Sequence, residues 1–227
     1  MSDSNKIAVD VTLYLVTDST GLEESAFLDI VRKACEGGVT LLQLREKEKT
    51  GLQYFQLAEK VKRISDEFGI PLIIDDRVDI ALAVDAAGVH VGADDIPLEI
   101  ARNFIGADKI LGATVKTVEQ AKRALAAGVN YFGTGAIYPT TTKVITKITE
   151  VSTLNEIVEV TGHKIPVCAI GGLNSDNINV LYDSSAFGIA VVSAIMKSEK
   201  PKETAQTLKQ QVLQNFRRFN SIEGESP

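Results

Sequence analysis

The chain has 227 residues, 44% of them hydrophobic, with 17 glycines and 6 prolines, a composition that suits a folded domain with a sizeable core. A formal net charge of -6 excludes general attraction to nucleic acid or to anionic membranes, so an anionic ligand has to be held by locally placed cations. No run of about 18 apolar residues occurs and the first residues lack an apolar leader pattern, so a cytoplasmic protein without membrane segments is expected.

From the N-terminus, short apolar runs alternate with amphipathic segments of helix length, and nearly every run is entered from a glycine or proline. A strand is predicted over Leu13 to Thr17 and a helix over Glu23 to Glu36. The next pairs are Leu41 to Leu44 with Leu52 to Phe68, and Leu72 to Ile74 with Val78 to Ala86. Val89 to Val91 leads to a helix over Leu98 to Ile105, and Ile110 to Ala113 to one over Val118 to Ala127. Tyr131 to Gly135 is followed by a helix over Thr153 to Val160, Val167 to Ile170 by one over Asp176 to Tyr182, and Phe187 to Val191 by a last helix over Lys202 to Arg218.

Gly37-Gly38-Val39, Ala87-Gly88-Val89 and Ala127-Gly128-Val129 repeat one junction, in which a left-handed glycine ends a helix and a β-branched strand begins. Continuous Val/Ile/Leu strands without polar alternation indicate a parallel sheet covered by helices. Eight such units close into a single-domain α/β TIM (β/α)8 barrel over residues 11–219, with flexible segments expected at 1–10 and 220–227. The alternative, an open doubly wound sheet, lacks its GxGxxG turn: Val16-Thr17-Asp18-Ser19-Thr20-Gly21 follows the first strand.

Function in such a barrel collects at the C-terminal ends of the strands. Strand two ends in Gln43-Leu44-Arg45-Glu46-Lys47, and alternate residues leaving a strand point one way, so Gln43, Arg45 and Lys47 project together toward the mouth. That suits a diphosphate, although the segment also reads as a solvated turn of alternating charge. Asp76 and Asp95 close neighbouring strands about 4.8 Å apart, so their carboxylates can converge on a magnesium ion; each also reads as the cap of the helix that follows. Strand six runs into Tyr138-Pro139-Thr140-Thr141-Thr142-Lys143, a hydroxyl-rich anion loop. Gly171-Gly172 after strand seven and Val192-Ser193 after strand eight occupy the loops where barrels commonly bind phosphate, and the glycine pair equally suits a tight turn.

Other chemistries are disfavoured. Cys35 and Cys168 read as reduced core thiols, His90 as a hydrogen-bonded core residue and His163 as a surface one. No GxSxG, HExxH or Walker A pattern occurs, and Lys116 and Lys143 lie among hydroxyls instead of in the apolar pocket that a Schiff-base lysine needs.

From Leu13 to about Met196 the chain resembles the thiamine-phosphate synthase family, through LYLVTD at Leu13, QLREK at Gln43, DDRVDIAL at Asp75, GVHVGADD at Gly88, GATVKT at Gly112, GTGAIYPTTTK at Gly133, AIGGL at Ala169 and AVVSAI at Ala190. The resemblance implies a transferase of thiamine biosynthesis that joins a 4-amino-2-methyl-5-hydroxymethylpyrimidine diphosphate to a thiazole phosphate, with or without a 2-carboxylate, and releases pyrophosphate with Mg2+. By position, it implies that Gln43 orients the pyrimidine and that Arg45, Lys47 and Lys143 hold and neutralise the diphosphate. Thr114 would touch the diphosphate or the reactive pyrimidine edge, and Asp76 and Asp95 would ligate the metal. Thr140, Thr142, Gly172, Val192 and Ser193 would bind the thiazole phosphate, and Thr141 and Gly171 are expected among the substrate-binding residues.

Asp75 stands where the family usually has Asn, so a donor in the substrate site becomes an acceptor or a further metal-shell group. Ala93 replaces a common Gln, Thr114 a common Ser, and residues 144–151 are more apolar than usual. The partners expected are small molecules, with no nucleic acid or membrane, and homo-oligomerisation is left open. Two alternatives stand beside this reading. One is a thiazole tautomerase, whose histidine after strand five is here Lys116 and which lacks the aspartate pair. The other is a non-catalytic phosphate-binding barrel.

Overall fold

The computed structural model describes residues 7–140 and 148–216. Expectations for residues 1–6, for 217–227, and for Thr141, Thr142 and Lys143 lie outside the described residues. Eight strands, β1 (Leu13–Val16), β2 (Leu41–Leu44), β3 (Leu72–Asp75), β4 (Gly88–Val91), β5 (Ile110–Thr114), β6 (Tyr131–Gly135), β7 (Val167–Ile170) and β8 (Gly188–Val191), pair in parallel and in chain order. β8 returns to β1, with Leu13 opposite Ile189, so the barrel is closed and leaves no sheet edge.

The strands are buried on both faces, which is why they read as unbroken apolar runs. The covering helices are amphipathic. α1 (Glu24–Glu36) buries Phe27, Val31, Ala34 and Cys35, and α2 (Gly51–Glu67) buries Tyr54, Leu57, Ala58, Val61 and Ile64, each set at helical spacing. Thr50 starts α2 with a reciprocal capping box to Gln53. The remaining helices are α3 (Val78–Ala83), α4 (Leu98–Ile105), α5 (Val118–Ala126), α6 (Val151–Thr161), the short α7 (Ser193–Met196) and α8 (Pro201–Asn215). Ile7 and Val9 lie partly buried against the core.

Two local expectations are corrected. The helix predicted over Asp176 to Tyr182 is only a 3-10 turn, Ile178–Leu181, because Asn174 and Asn177 tie the preceding segment into turns through their side chains. The repeated glycine junction holds at Gly38 and Gly128 (φ 97° and 72°) but not at Gly88. There Asp85 takes the left-handed conformation (φ 49°) and ends α3 early, while Gly88 belongs to β4, where a Cβ would stand 1.9 Å from the Ile110 carbonyl oxygen.

Candidate active site

The strand register brings Gln43, Asp75, His90 and Thr114 to one end of four neighbouring strands, with Asp75 opposite His90 and Thr114 opposite Gly133. A cavity of about 240 Å³ opens there. Its walls follow the two-residue period of a strand: Tyr14 and Val16, then Gln43, Arg45 and Lys47, then His90 and Gly92, then Thr114 and Lys116. The predicted residues Asp75, Asp76, Asp95, Thr140, Gly171, Gly172, Val192 and Ser193 also line it.

On one side of the mouth, Lys47 Nζ lies 2.9 Å from Asp75 Oδ2 and also pairs with Asp76, and Arg45 Nε lies 3.8 Å from the same Asp75 oxygen. Burial raises the Asp75 pKa above the usual carboxylate range, against the pull of Lys47 and Arg45. Burial works against the Lys47 charge as well, but the facing Asp75 and Asp76 outweigh it and hold its pKa above the ordinary value. Tyr54 on α2 donates to the Leu44 carbonyl at 2.6 Å and the Asp75 carbonyl at 3.3 Å, which locks the ends of β2 and β3 beside each other. The loop after β1 contributes too: Arg45 N–H donates to Thr17 Oγ1 at 3.2 Å, and Ser19 donates to Glu46 at 2.7 Å.

The capping alternative for the two aspartates fails. Arg77 and Pro97 occupy the N-cap positions of α3 and α4, neither helix has a side-chain cap, and Asp95 Oδ2 instead accepts from Gly92 N–H at 2.8 Å. Asp76 adopts a left-handed φ of 59°, with its N–H donating to the His90 carbonyl, and this turn carries its carboxylate toward Asp95. Burial, and next the hydrogen bond with Asp76, raise the Asp95 pKa. Two acids converging in this way suit a hard dication that takes a few carboxylate oxygens and completes its shell with water and substrate phosphate. Among the described residues no group of three or more His, Cys, Asp and Glu is arranged to hold a metal.

Across the mouth, Gly171 and Gly172 have φ of 104° and 64°. A Cβ on Gly171 would fall 2.4 Å from that of Ala136, and one on Gly172 would fall 2.8 Å from the Pro139 carbonyl oxygen. Only glycine lets the β7 turn pack this closely under the β6 loop. Thr140 and the start of α7 complete this half.

His90 is buried and hydrogen-bonded as expected, but it also lines the cavity. Its Nε2 lies 3.0 Å from Thr114 Oγ1 and its Nδ1 3.0 Å from Tyr131 Oη; Tyr131 Oη is 2.7 Å from Tyr14 Oη, which accepts from Gln43 Nε2 at 2.5 Å. Burial lowers the His90 pKa to about 4, so the ring is neutral at neutral pH. Sequence reasoning missed Tyr14, Tyr54 and Tyr131; the only signal was a tyrosine inside an otherwise aliphatic strand or helix face. His163 is exposed near Glu159, and Cys35 and Cys168 are free buried thiols with pKa values pushed up to about 12.

A closed parallel barrel with a cationic and acidic arc facing a glycine cradle at the C-terminal rim defines a (β/α)8 barrel enzyme built for phosphorylated ligands. The family model for thiamine monophosphate synthase matches residues 13–195, and the chain belongs to that family. It is 51% identical over 187 residues to thiamine-phosphate synthase 2 of Streptococcus pneumoniae, covering 82% of this chain and 88% of that protein. It is 45% identical to the thiamine-phosphate synthase of Methanobrevibacter smithii, covering 94% and 99% of the two chains. Among solved structures, thiamine phosphate pyrophosphorylase from Pyrococcus furiosus superposes with a TM-score of 0.80 at 36% identity, over 89% of this chain and 96% of that one. A 3-hexulose-6-phosphate synthase, at 17% identity and TM-score 0.67, shares the fold alone.

Proposed function

We propose that this enzyme condenses 4-amino-2-methyl-5-hydroxymethylpyrimidine diphosphate with a thiazole phosphate to give thiamine phosphate and pyrophosphate, in the cytoplasm. The observation that carries the reading is the single cavity in which Arg45, Lys47 and the aspartate pair face Gly171, Gly172 and Ser193, room for two anionic groups at opposite sides of one reaction centre.

The thiazole nitrogen attacks the pyrimidine methylene carbon while the bond from that carbon to the diphosphate oxygen breaks, and pyrophosphate leaves with the electron pair. No protein nucleophile is required. Arg45 and Lys47 neutralise the charge that grows on the leaving group, a role that the family resemblance extends to Lys143. Asp75 and Asp76 pair with Lys47 and hold the cation at the side of the cavity assigned to the diphosphate. Gln43 orients the pyrimidine and Thr114 contacts its reactive edge or the diphosphate. Thr140, Thr141, Thr142, Gly171, Gly172, Val192 and Ser193 fix the thiazole phosphate, which aligns the nucleophile and removes the entropy cost of a bimolecular encounter from the chemical step. Asp76 and Asp95 would hold a magnesium ion, which would supply further charge neutralisation for the leaving diphosphate.

Incubation with both substrates and magnesium is expected to yield thiamine phosphate, detectable by chromatography, and a chelator is expected to abolish it. Isomerisation of a thiazole phosphate without coupling would support the tautomerase reading instead. Here Lys116 stands where that reading needs a histidine, and the aspartate pair it lacks is present.

A further inference from the structure

We infer that Gln43, Tyr14, Tyr131, His90 and Thr114 form a one-way hydrogen-bond relay under the cavity, which presents the Thr114 hydroxyl to the ligand as a donor. Tyr131 and His90 are thereby positioning residues for the reaction; this rests on the functional reading above.

The direction follows from counting protons. Gln43 Nε2 donates to Tyr14 Oη, so among the described residues the acceptor for the Tyr14 proton is Tyr131 Oη, 2.7 Å away. Tyr14 is fully buried, and a hydroxyl proton without an acceptor there would be costly. Tyr131 Oη, having accepted from Tyr14, donates its own proton to His90 Nδ1 at 3.0 Å. The neutral imidazole then carries its hydrogen on Nε2 and gives it to Thr114 Oγ1 at 3.0 Å. Thr114 is left with its own proton for an acceptor in the cavity, a diphosphate oxygen or a pyrimidine ring nitrogen. Reversing the Tyr131–His90 or the His90–Thr114 link alone would put two protons between one pair of atoms, and reversing the Tyr14–Tyr131 link would leave the buried Tyr14 proton without an acceptor, so the Gln43 carboxamide and the Thr114 hydroxyl are set together although they leave different strands.

The sequence is built to admit this relay. Tyr131 sits in register with Gly112, and a Cβ on Gly112 would fall 2.2 Å from Tyr131 Cζ, so the ring occupies space that only glycine leaves. Tyr14 and Tyr131 meet edge to face with centroids 5.6 Å apart. Tyr131 is fully buried beneath the residues that line the cavity, so its removal deletes no ligand contact.

The direct test is 15N NMR of the imidazoles in the unsubstituted, ligand-free protein. With two histidines in the chain, a His163→Asn variant assigns the signals. A neutral His90 ring protonated on Nε2 is expected; protonation on Nδ1 would overturn the relay. A kinetic cycle tests its consequence. Tyr131→Phe is expected to lower kcat about tenfold, the loss of roughly one hydrogen bond's worth of positioning, with KM for the thiazole phosphate unchanged. In a Thr114→Val background it should have almost no further effect, whereas in Thr114→Ser, which keeps the hydroxyl, the tenfold loss should return. Losses that multiply in the Thr114→Val background, or a Tyr131→Phe enzyme as fast as the original, would overturn the proposal. If Tyr131→Phe does not fold, the ring-proton measurement decides alone. An unsubstituted protein that released no pyrophosphate would contradict the functional reading and leave the NMR result standing.

Discussion

Gly112→Ala places one methyl group where the barrel has no room. The new Cβ would lie 2.2 Å from Tyr131 Cζ and 2.3 Å from Tyr131 Oη. The ring would have to move by roughly 1 Å to reach ordinary contact in an interior packed like a crystal. Such overpacking costs about 1–3 kcal/mol. The displaced hydroxyl also loses its partners Tyr14 and His90, and stranding buried polar groups adds about 1–3 kcal/mol. A destabilisation of about 4 kcal/mol is therefore expected, or a Tm lower by roughly 10 °C for a domain of this size. Gly133→Ala is the matched control. It is also a strand glycine, but its Cβ would meet His90 Cε1 at 3.6 Å, an ordinary contact. Urea and thermal unfolding of the two variants beside the parent should separate them by several kcal/mol. Equal losses, or a Gly112→Ala cost under about 1 kcal/mol, would refute the packing argument.

His90 should make the protein acid-sensitive. Its folded pKa of about 4 lies below the unfolded value near 6.5, so the unfolded chain takes the proton first. The stabilisation is present above pH 6.5 and is lost as pH falls toward 4, roughly 3 kcal/mol in all. Asp75 and Asp95, whose pKa values are raised, act in the opposite sense in any comparison, so the difference between the stability profiles of the parent and His90→Gln isolates the imidazole; parallel profiles would contradict its burial as a neutral group. Asp95→Ala should raise the magnesium concentration for half-maximal activity by roughly tenfold or more, and an unchanged titration would remove Asp95 from the ligand set. Lys47→Ala should lower kcat by roughly a hundredfold, through loss of charge stabilisation on the departing diphosphate. A change confined to KM would assign Lys47 to ground-state binding alone.

The barrel was legible because buried parallel strands leave a plain signature, short Val/Ile/Leu runs entered from glycine, and α1 and α2 carry clear helical spacing. The geometry of the rim follows from a similar pattern: the two-residue period of a strand that places Gln43 inward also aims Arg45 and Lys47, and all three line the cavity. Asp85 escaped notice because a non-glycine left-handed residue has no strong local signal, and it displaced the cap expected at Gly88. The segment after β7 misled through its apolar Ile178, Val180 and Leu181, since side-chain turns by Asn174 and Asn177 compete with the helix there. The tyrosines under the cavity were illegible because their meaning lies in contacts across the barrel: Tyr14 and Tyr131 meet from positions 117 residues apart.

The most direct test of the account is pyrophosphate release by the purified protein in an omission series. Pyrophosphate is expected only when the pyrimidine diphosphate, the thiazole phosphate and magnesium are all present, in equal amount to the thiamine phosphate formed. Release that ignores the thiazole phosphate, or none at all with every component present, would contradict the account.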